Sequence, residues 1–443
     1  MMDDSNGVTH RLKRYANVTT SLGGSALKFA GAKVFGLDVA HEAEAEALTK
    51  ALGQLKGPVM KVAQMLATIP DAVQPEYASA FLQLQSQAPS MGAAFVKRRM
   101  QKELGIQWRD CFAEFSLEAA AAASLGQVHR ASLPDGTSVA CKLQYPDMAS
   151  TLEADLNQLR LFLKLYEKTL GALDTEGLFV EISSRLREEL DYRLEAKHMA
   201  LFQKVLADID GVHVPTSFPD LSTDRLLTMA WLEGKPLRAM QDLPQEQRNQ
   251  IARTLFRTWY VPFYHYGLIH GDPHLGNYTF TDAGEINLLD FGCVRKFTGT
   301  FVQGVLDLYH ALQRQDEEAA VAAYEAWGFQ GLTKEKIEVL NLWAGLLYEP
   351  IMDDRVRPIQ AEHSGVYGRE TAYEVHESLR RLGGVRPPQE FVFMDRAAVG
   401  VGSVFMHLRA ELNWYEEFQK LIADFSADQL QNRQNQVLAS VGL

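Results

Sequence analysis

The chain has 443 residues, of which 47% are hydrophobic and 23% charged, as is typical of a globular protein with two or three domains. Its net charge of -12, without a long block of Lys or Arg, argues against nucleic-acid binding. The three cysteines are far apart and form no C-x-x-C pair, which argues against a disulfide framework or a zinc site and fits a reducing compartment.

Membrane insertion and secretion are not expected from the sequence. No apolar run approaches the roughly 18 residues that a spanning helix needs, and Asp3 and Asp4 stand where a signal peptide would be basic. Residues 18–36 combine Lys28 and Lys33 with small and apolar residues, a pattern compatible with lying on an anionic membrane or with packing on the rest of the chain. We therefore expect a bacterial cytoplasmic protein, with any contact to the inner membrane being peripheral.

The first half of the chain changes from a helical to a mixed pattern. Residues 40–102 have the apolar spacing of helices. A Pro-Asp-Gly turn at 134–136 between two β-like runs predicts a hairpin. Helices are then predicted over 148–170 and 177–207, followed by a strand over 225–232.

Beyond Pro244 the pattern is mainly helical. Short β-like pieces interrupt it at 277–280 and 286–290. A loop at Pro387 and Pro388 precedes a last helical region. The polar tail after Asp428 is expected to fray.

The segment H-G-D-P-H-L-G-N at 270–277, followed by D-F-G at 290–292, carries the strongest chemical signal. In kinase-type phosphoryl transfer, one Asp orients the attacking hydroxyl, an Asn five residues later binds Mg²⁺, and the Asp of D-F-G binds the metal that bridges the phosphates. Asp272, Asn277 and Asp290 have that spacing. His270, His274 and His129 could suggest a metal site, but a third ligand near 270–274 is missing from the pattern, and a supporting role is expected.

The same chemistry needs a strand lysine and a carboxylate partner. Val139-Ala-Cys-Lys142 has the V-A-x-K form, and strand alternation puts Ala140 and Lys142 on one face, toward adenine and the phosphates. On one continuous helix at about 100° per residue, Asp191 and Glu195 would share a face and Glu189 would be rotated away. Residue pattern alone leaves open a solvated helix with i,i+4 ion pairs.

Several motifs resemble the UbiB/AarF family of ABC1-type atypical kinases. The alanine-rich segment 121–131 replaces a glycine-rich loop, E-L-D-Y-R-L-E-A lies at 189–196, and Lys61-Val-Ala-Gln64 matches the K-x-G-Q motif of the family with alanine for glycine. Leu275 stands where the family usually has proline. Because alanine lacks the freedom of glycine at positive φ, the loop is expected to be stiff and phosphoryl transfer to protein to be poor.

The resemblance implies an α+β fold, an atypical protein-kinase-like two-lobed fold with an N-terminal helical extension. The expected domains are this extension at 1–105, the smaller lobe at 106–234 and the helical lobe at 235–443. Lys61 would pair with Glu189 over the cleft, which leaves Glu195 for Lys142, and Met229 would be the gatekeeper of the hinge. The expected nucleotide contacts are Ala121, Ala122, Ala123, Ser124, Ala140, Lys142, Met229, Ala230 and Leu232. The expected regulatory residues are Lys61, Gln64, Glu189 and Asp191.

By this resemblance, the chain binds ATP or ADP with Mg²⁺ and is a slow ATPase or unorthodox kinase. It would support ubiquinone or other isoprenoid-lipid metabolism, with lipid intermediates or biosynthetic proteins as partners. Two alternatives stay open. One is a small-molecule phosphotransferase, because the 270–277 segment also resembles aminoglycoside and choline kinases, and the other is a non-catalytic, nucleotide-gated or lipid-binding scaffold.

Overall fold

A computed structural model of the chain describes residues 91–443, except for the positions given next. The gaps are residues 124, 147, 149–151, 154–155, 158–159, 161–174, 361–373, 376, 380, 384 and 386–388. Predictions for Lys61, Gln64, Ser124 and the segment 18–36 therefore lie outside the described residues. The expected domain boundaries at 105 and 234 stay predictions. In the described part, no helix has both the length and the apolar character needed to cross a membrane.

The first described elements form a small antiparallel sheet. Helix α1 (Ala93–Leu104) precedes it. Its strands are β1 (Glu114–Phe115), β2 (Ala121–Ala123), β3 (Gly126–Ser132), β4 (Ser138–Gln144) and β6 (Leu226–Ala230). The order is β1-β3-β4-β6, and β2 also pairs with β3. The hairpin predicted at the Pro-Asp-Gly turn is confirmed, with Gly136 at a φ of 87°.

Alternation along β4 separates two faces of the sheet. Val139, Cys141 and Leu143 pack with Trp108 and other apolar residues of the smaller core. Ala140 belongs to the larger core instead. Ala140 and Lys142 therefore share one face of β4, as predicted, and this face is opposite the smaller core.

The predicted helix over 177–207 is wrong as a single element. Helix α2 (Thr175–Glu188) ends, and helix α3 (Tyr192–Val205) begins after three intervening residues. The carboxylate of Asp191 accepts a hydrogen bond from the backbone N–H of Leu194 at 2.9 Å and caps α3. Capping by Asp favours a new helix start because it satisfies an N–H that has no partner within the helix. The comparison of Glu189, Asp191 and Glu195 on one helix therefore does not hold.

Two short sheets follow helix α4 (Gln245–Tyr266), whose N-cap is Pro244. Strands β7 (Leu268–His270) and β10 (Val294–Lys296) pair antiparallel. Strand β9 (Ile286–Leu288) pairs with β8 (Tyr278–Phe280) and with β5 (Val212–His213). The two β-like pieces predicted here are confirmed as β8 and β9.

Helices dominate the remainder of the described chain. They pack around a core that also takes in α3, α4 and the short sheets. In chain order the elements are α5 (Gly299–Gln313), α6 (Glu317–Trp327), α7 (Lys334–Met352), β11 (Arg357–Pro358), α8 (Gln389–Leu408), β12 (Glu411–Leu412), α9 (Trp414–Ile422) and α10 (Ala427–Ala439).

The prediction that the polar tail frays is wrong, because it forms α10. Leu430 and Gln434 of this helix are buried. The side-chain amide of Gln434 donates to the carbonyl oxygens of Tyr266 at 2.8 Å, Gly267 at 3.1 Å and Phe297 at 2.9 Å. A buried carbonyl without a partner costs about 1–3 kcal/mol, so this one amide stabilises the C-terminal end of α4.

The chain divides into two compact units, residues 1–90 with 147–186 and residues 91–146 with 187–443. All features of the site and cavity described below belong to the second unit.

Candidate active site

The strand pair β7–β10 brings the two sequence motifs together. Val294 is paired with His270, and the N–H of Gly271 donates to the carbonyl of Cys293 at 2.7 Å. A hydrogen bond also joins the ring Nε2 of His270 and the carbonyl oxygen of Asp290. The H-G-D segment and the D-F-G segment, twenty residues apart, therefore meet at one edge of the short sheet.

Lys142 is the centre of the polar cluster. Its Nζ lies 2.7 Å from Glu195 Oε1 and 3.2 Å from Asp290 Oδ2. Burial alone would lower the pKa of Lys142, but the carboxylates of Asp290 and Glu195 outweigh it and hold the pKa well above its ordinary value. The ammonium group is thus charged at neutral pH and lies between a helix carboxylate and the D-F-G carboxylate.

Tyr192 was not predicted as a site residue. Its ring lies under the ammonium group of Lys142, with Nζ 5.3 Å from the ring centroid. The side chain is almost completely buried, and a cation over an aromatic face is favourable in such a place. The sequence signal was its position in the E-L-D-Y string, one residue after the helix cap.

The D-F-G segment is held by its backbone. Asp290 Oδ1 accepts a hydrogen bond from the N–H of Gly292 at 2.9 Å. The carbonyl of Phe291 lies 3.0 Å from Nδ1 of His198 on α3. His198 was not predicted either, and only its spacing of three residues from Glu195 on the helix points to it.

Asp272 and Asn277 lie in the loop between β7 and β8. The side-chain Nδ2 of Asn277 donates to the backbone carbonyl of Asp272 at 3.0 Å, which fixes the loop. The ring of His274 accepts from the N–H of Gly276 at 3.1 Å and so supports the turn at Leu275. In the described part of the chain, no group of three His, Cys, Asp or Glu side chains is placed to hold a metal.

The predicted hinge runs along β6 and leaves it at Ala230. Met229 is buried opposite Ala140 of β4. The N–H of Ala230 donates to the carbonyl of Thr216 at 2.8 Å, and the N–H of Trp231 donates to that of Ser138 at 2.9 Å. Because the N–H of Ala230 is already engaged, only its carbonyl oxygen is left to accept a hydrogen bond from a nucleotide.

The alanine-rich segment is a strand at its start. Ala121, Ala122 and Ala123 pair with Val128, Gln127 and Gly126 respectively. None of the three alanines has a positive φ, in agreement with alanine in place of glycine here. A Cβ at Gly126 would lie 2.2 Å from the carbonyl oxygen of Leu143, so glycine is required where the hairpin returns over β4.

Glu189 lies between α2 and α3 and is half-buried. An ideal Cβ at Gly292 would lie 3.9 Å from its Cγ, which places this carboxylate beside the D-F-G segment. Asp191 caps α3, as described above. The predicted partner of Glu189, Lys61, is outside the described residues.

Comparison with known proteins gives the family. The profile of the ABC1 atypical kinase-like domain matches residues 83–324. "Atypical kinase COQ8B, mitochondrial" of Rattus norvegicus is 29% identical over 419 residues, 90% of this chain and 75% of the relative. "Atypical kinase COQ8, mitochondrial" of Saccharomyces cerevisiae is 26% identical over 397 residues, 87% of this chain and 77% of the relative.

A solved structure from Mycobacterium tuberculosis has a similar fold. It is the complex structure of Rv3197 with erythromycin. The TM-score is 0.60 at 25% sequence identity, and the match covers 91% of this chain and 98% of that chain. The α+β kinase-like fold expected from the sequence is thereby confirmed.

Proposed function

The chain belongs to the ABC1 atypical kinase-like family, and from that premise we propose that it binds ATP or ADP with Mg²⁺ at Lys142 and Asp290. It is a slow ATPase or atypical kinase that supports ubiquinone or other isoprenoid-lipid metabolism. The observation that carries the proposal is the convergence of Lys142, Glu195 and Asp290 from a strand, a helix and the D-F-G segment. Kinase-type phosphoryl transfer requires this lysine–glutamate pair and this aspartate together.

The residues present fit a magnesium ion. Nδ2 of Asn277 is used by the carbonyl of Asp272, so its Oδ1 is the atom turned to other partners. The carboxylate of Asp290 is one-third exposed, and carboxylate oxygens accept more than one contact. Mg²⁺ is commonly held by one or two protein oxygens and by phosphates, and it neutralises the charge of the transferred group. Asn277 and Asp290 would hold it.

Each remaining residue has a defined task. Lys142 binds the α and β phosphates, and Glu195 holds the ammonium group in place. The carboxylate of Asp272 accepts the proton of the attacking water or hydroxyl. Met229 lines the adenine pocket, and the Ala230 carbonyl and the Leu232 backbone bind the base. A stiff alanine strand offers fewer N–H groups to phosphate than a glycine loop, which supports slow turnover.

The proposal also includes a lipid-linked function and a peripheral contact with the membrane. Two relatives are named mitochondrial atypical kinases, and the family resemblance connects such proteins with ubiquinone metabolism. We extend this to isoprenoid-lipid intermediates or biosynthetic proteins as partners of this chain.

The test is phosphate release from ATP and Mg²⁺ by the wild type and by Asp290→Asn, in the presence and absence of anionic vesicles and a phenolic ubiquinone-precursor analogue. We expect Asp290→Asn to lower turnover roughly a hundredfold, because a charged group that stabilises the transition state is lost. Asp282→Asn is the control, since the Asp282 carboxylate is exposed and pairs with Lys235 on the surface.

Two results would redirect the proposal. Nucleotide binding without turnover in any condition would overturn the proposal that the chain is an enzyme and would favour a nucleotide-gated scaffold. Turnover that is equal in Asp290→Asn and wild type would overturn the assignment of the site. Stimulation by vesicles or by the analogue would support the lipid-linked function, and its complete absence would count against that part.

A further inference from the structure

A cavity of about 680 Å³ lies among the C-terminal helices. Its volume is within the range of roughly 300–1,000 Å³ that is usual for small-molecule sites. It does not include Lys142, Asp272, Asn277 or Asp290. The cavity is therefore separate from the candidate nucleotide site.

The walls of the cavity are mainly aromatic and aliphatic. Three of the six tryptophans of the chain, Trp259, Trp327 and Trp343, line it, together with side chains of α4, α7 and α8. No Lys, Asp or Glu is among its described lining residues, and the cationic Arg409 is exposed. Such walls favour an uncharged, apolar occupant, because a charge would lose its hydration without gaining a partner.

Two tyrosine hydroxyl groups distinguish the cavity from a simple packing defect. Tyr260 and Tyr264 line it, and neither hydroxyl has a hydrogen-bond partner among the described residues. Other tyrosines of the wall are satisfied: Tyr324 donates to Asn341 at 3.1 Å and Tyr348 to the carbonyl of Val305 at 3.1 Å.

Both unpartnered phenols are donors at neutral pH. Tyr264 is only 3% exposed. Burial raises the pKa of Tyr260 to about 12 and that of Tyr264 well above its ordinary value. A phenol hydroxyl that reaches an apolar cavity without a partner among the described residues can donate to an oxygen acceptor placed there, and such a hydrogen bond contributes about 0.5–1.5 kcal/mol.

We propose that this cavity binds an uncharged, largely apolar small molecule whose carbonyl or ether oxygen accepts hydrogen bonds from Tyr260 and Tyr264. The remaining carbon skeleton lies against the aromatic walls. This inference goes beyond the proposed function and does not depend on nucleotide binding or turnover.

The first test uses methyl nonyl ketone with a bromine on its far terminal carbon. Bromine quenches tryptophan fluorescence on contact, so occupancy of a cavity with three tryptophans is directly visible. We expect saturable quenching, with bromoundecane, which lacks the carbonyl, bound about tenfold more weakly, as the loss of one buried hydrogen bond implies. Tyr260→Phe and Tyr264→Phe should together remove the preference for the ketone.

Gly402 is a position from which a larger side chain can be directed into the cavity. It lines the cavity, and an ideal Cβ built on it meets no atom within 4 Å. We expect Gly402→Leu to weaken ketone binding at least tenfold. Gly345→Leu is the matched control, because Gly345 is also helical with open space at its Cβ but does not line the cavity.

Thermal unfolding of each variant in the absence of ketone shows that it is folded. Saturable quenching that is lost in Gly402→Leu and kept in Gly345→Leu supports the site. Quenching that does not saturate, or that is equal in the two leucine variants, overturns it. Equal binding of the ketone and of bromoundecane overturns the role of the two tyrosines.

Discussion

His129 shows how a single buried side chain can have its protonation state fixed by its neighbours. Its Nδ1 lies 2.9 Å from the carbonyl of Ser116, and its Nε2 lies 2.8 Å from the amide nitrogen of Gln127. That amide is oriented by both backbone polar atoms of Met91. The arrangement assigns the proton to Nδ1 and makes Nε2 an acceptor, so a protonated ring would face another donor.

This environment predicts a pH dependence of stability. Burial lowers the pKa of His129 below its ordinary value of 6.5, against the opposing effect of its backbone hydrogen bonds. Between that value and the lowered pKa of the folded state, the unfolded chain binds a proton that the folded chain does not, so the free energy of unfolding falls as pH falls through this window. We expect a contribution of about 1 kcal/mol per pH unit, absent in His129→Gln.

Urea unfolding from pH 7.5 to pH 5 measures this contribution. The variant should keep a shallower slope, because burial also lowers the pKa of His198 and His265. Parallel profiles for wild type and His129→Gln would show that the ring is protonated in the folded protein at no extra cost.

At the scale of elements, the sequence predicted the features that depend only on neighbouring residues. The hairpin at 134–136 was predictable because its turn residues select the conformation themselves. The break between α2 and α3 was missed, although Asp191 is a common helix-start residue, because the charged pattern continues on both sides of it. Helix α10 was missed because Gln434, a polar residue, occupies a buried position that depends on three carbonyls far away in sequence.

Helix α8 has a direct contact with the loop that carries Asp272. An ideal Cβ at Gly400 would lie 2.2 Å from Cγ of Pro273, a distance that side-chain atoms do not tolerate. We therefore expect Gly400→Ala to displace the loop and to lower turnover roughly ten- to a hundredfold, since small displacements of reacting groups are costly. Gly345→Ala, helical and with open space, should not change turnover.

Phosphate release by the two alanine variants is the measurement, accompanied by thermal unfolding. Because alanine favours a helix by about 1 kcal/mol over glycine, Gly345→Ala should be at least as stable as wild type. Full activity of Gly400→Ala would mean that the helix yields and that the position of the loop does not depend on α8.

At the scale of the molecule, the residues that the sequence indicated are those with a local signature. Lys142, Glu195 and Asp290 are separated by 53 and 95 positions, and each stands in a short motif of its own. The structure brings them within one cluster. The cavity could not be predicted from local motifs, because Tyr260 and Tyr264 have the spacing of ordinary residues on the apolar face of a helix. Only the packing of several helices shows that their hydroxyls lack a hydrogen-bond partner among the described residues.

The cluster around Lys142 also couples the small sheet to the D-F-G segment, so a nucleotide bound there should stabilise both. A ligand that binds only the folded state raises the free energy of unfolding by about 2.7 kcal/mol at a hundred times its Kd. We expect ATP with Mg²⁺ to raise the unfolding midpoint in urea accordingly. Chelation of Mg²⁺ by EDTA should reduce the increment that ATP produces in the wild type. In Asn277→Ala, the increment should be the same with and without Mg²⁺ and should equal that of the wild type in EDTA.

Lys142→Met provides the sharper form of the same prediction. Its own stability should fall by about 3–5 kcal/mol, because Glu195 would keep a buried charge without its partner. The quantity to compare is therefore the increment produced by the nucleotide, measured within each variant. A full increment in Lys142→Met would show that ATP binds elsewhere and that the ion pair serves only the fold, whereas an increment confined to the wild type would place the phosphates at this lysine.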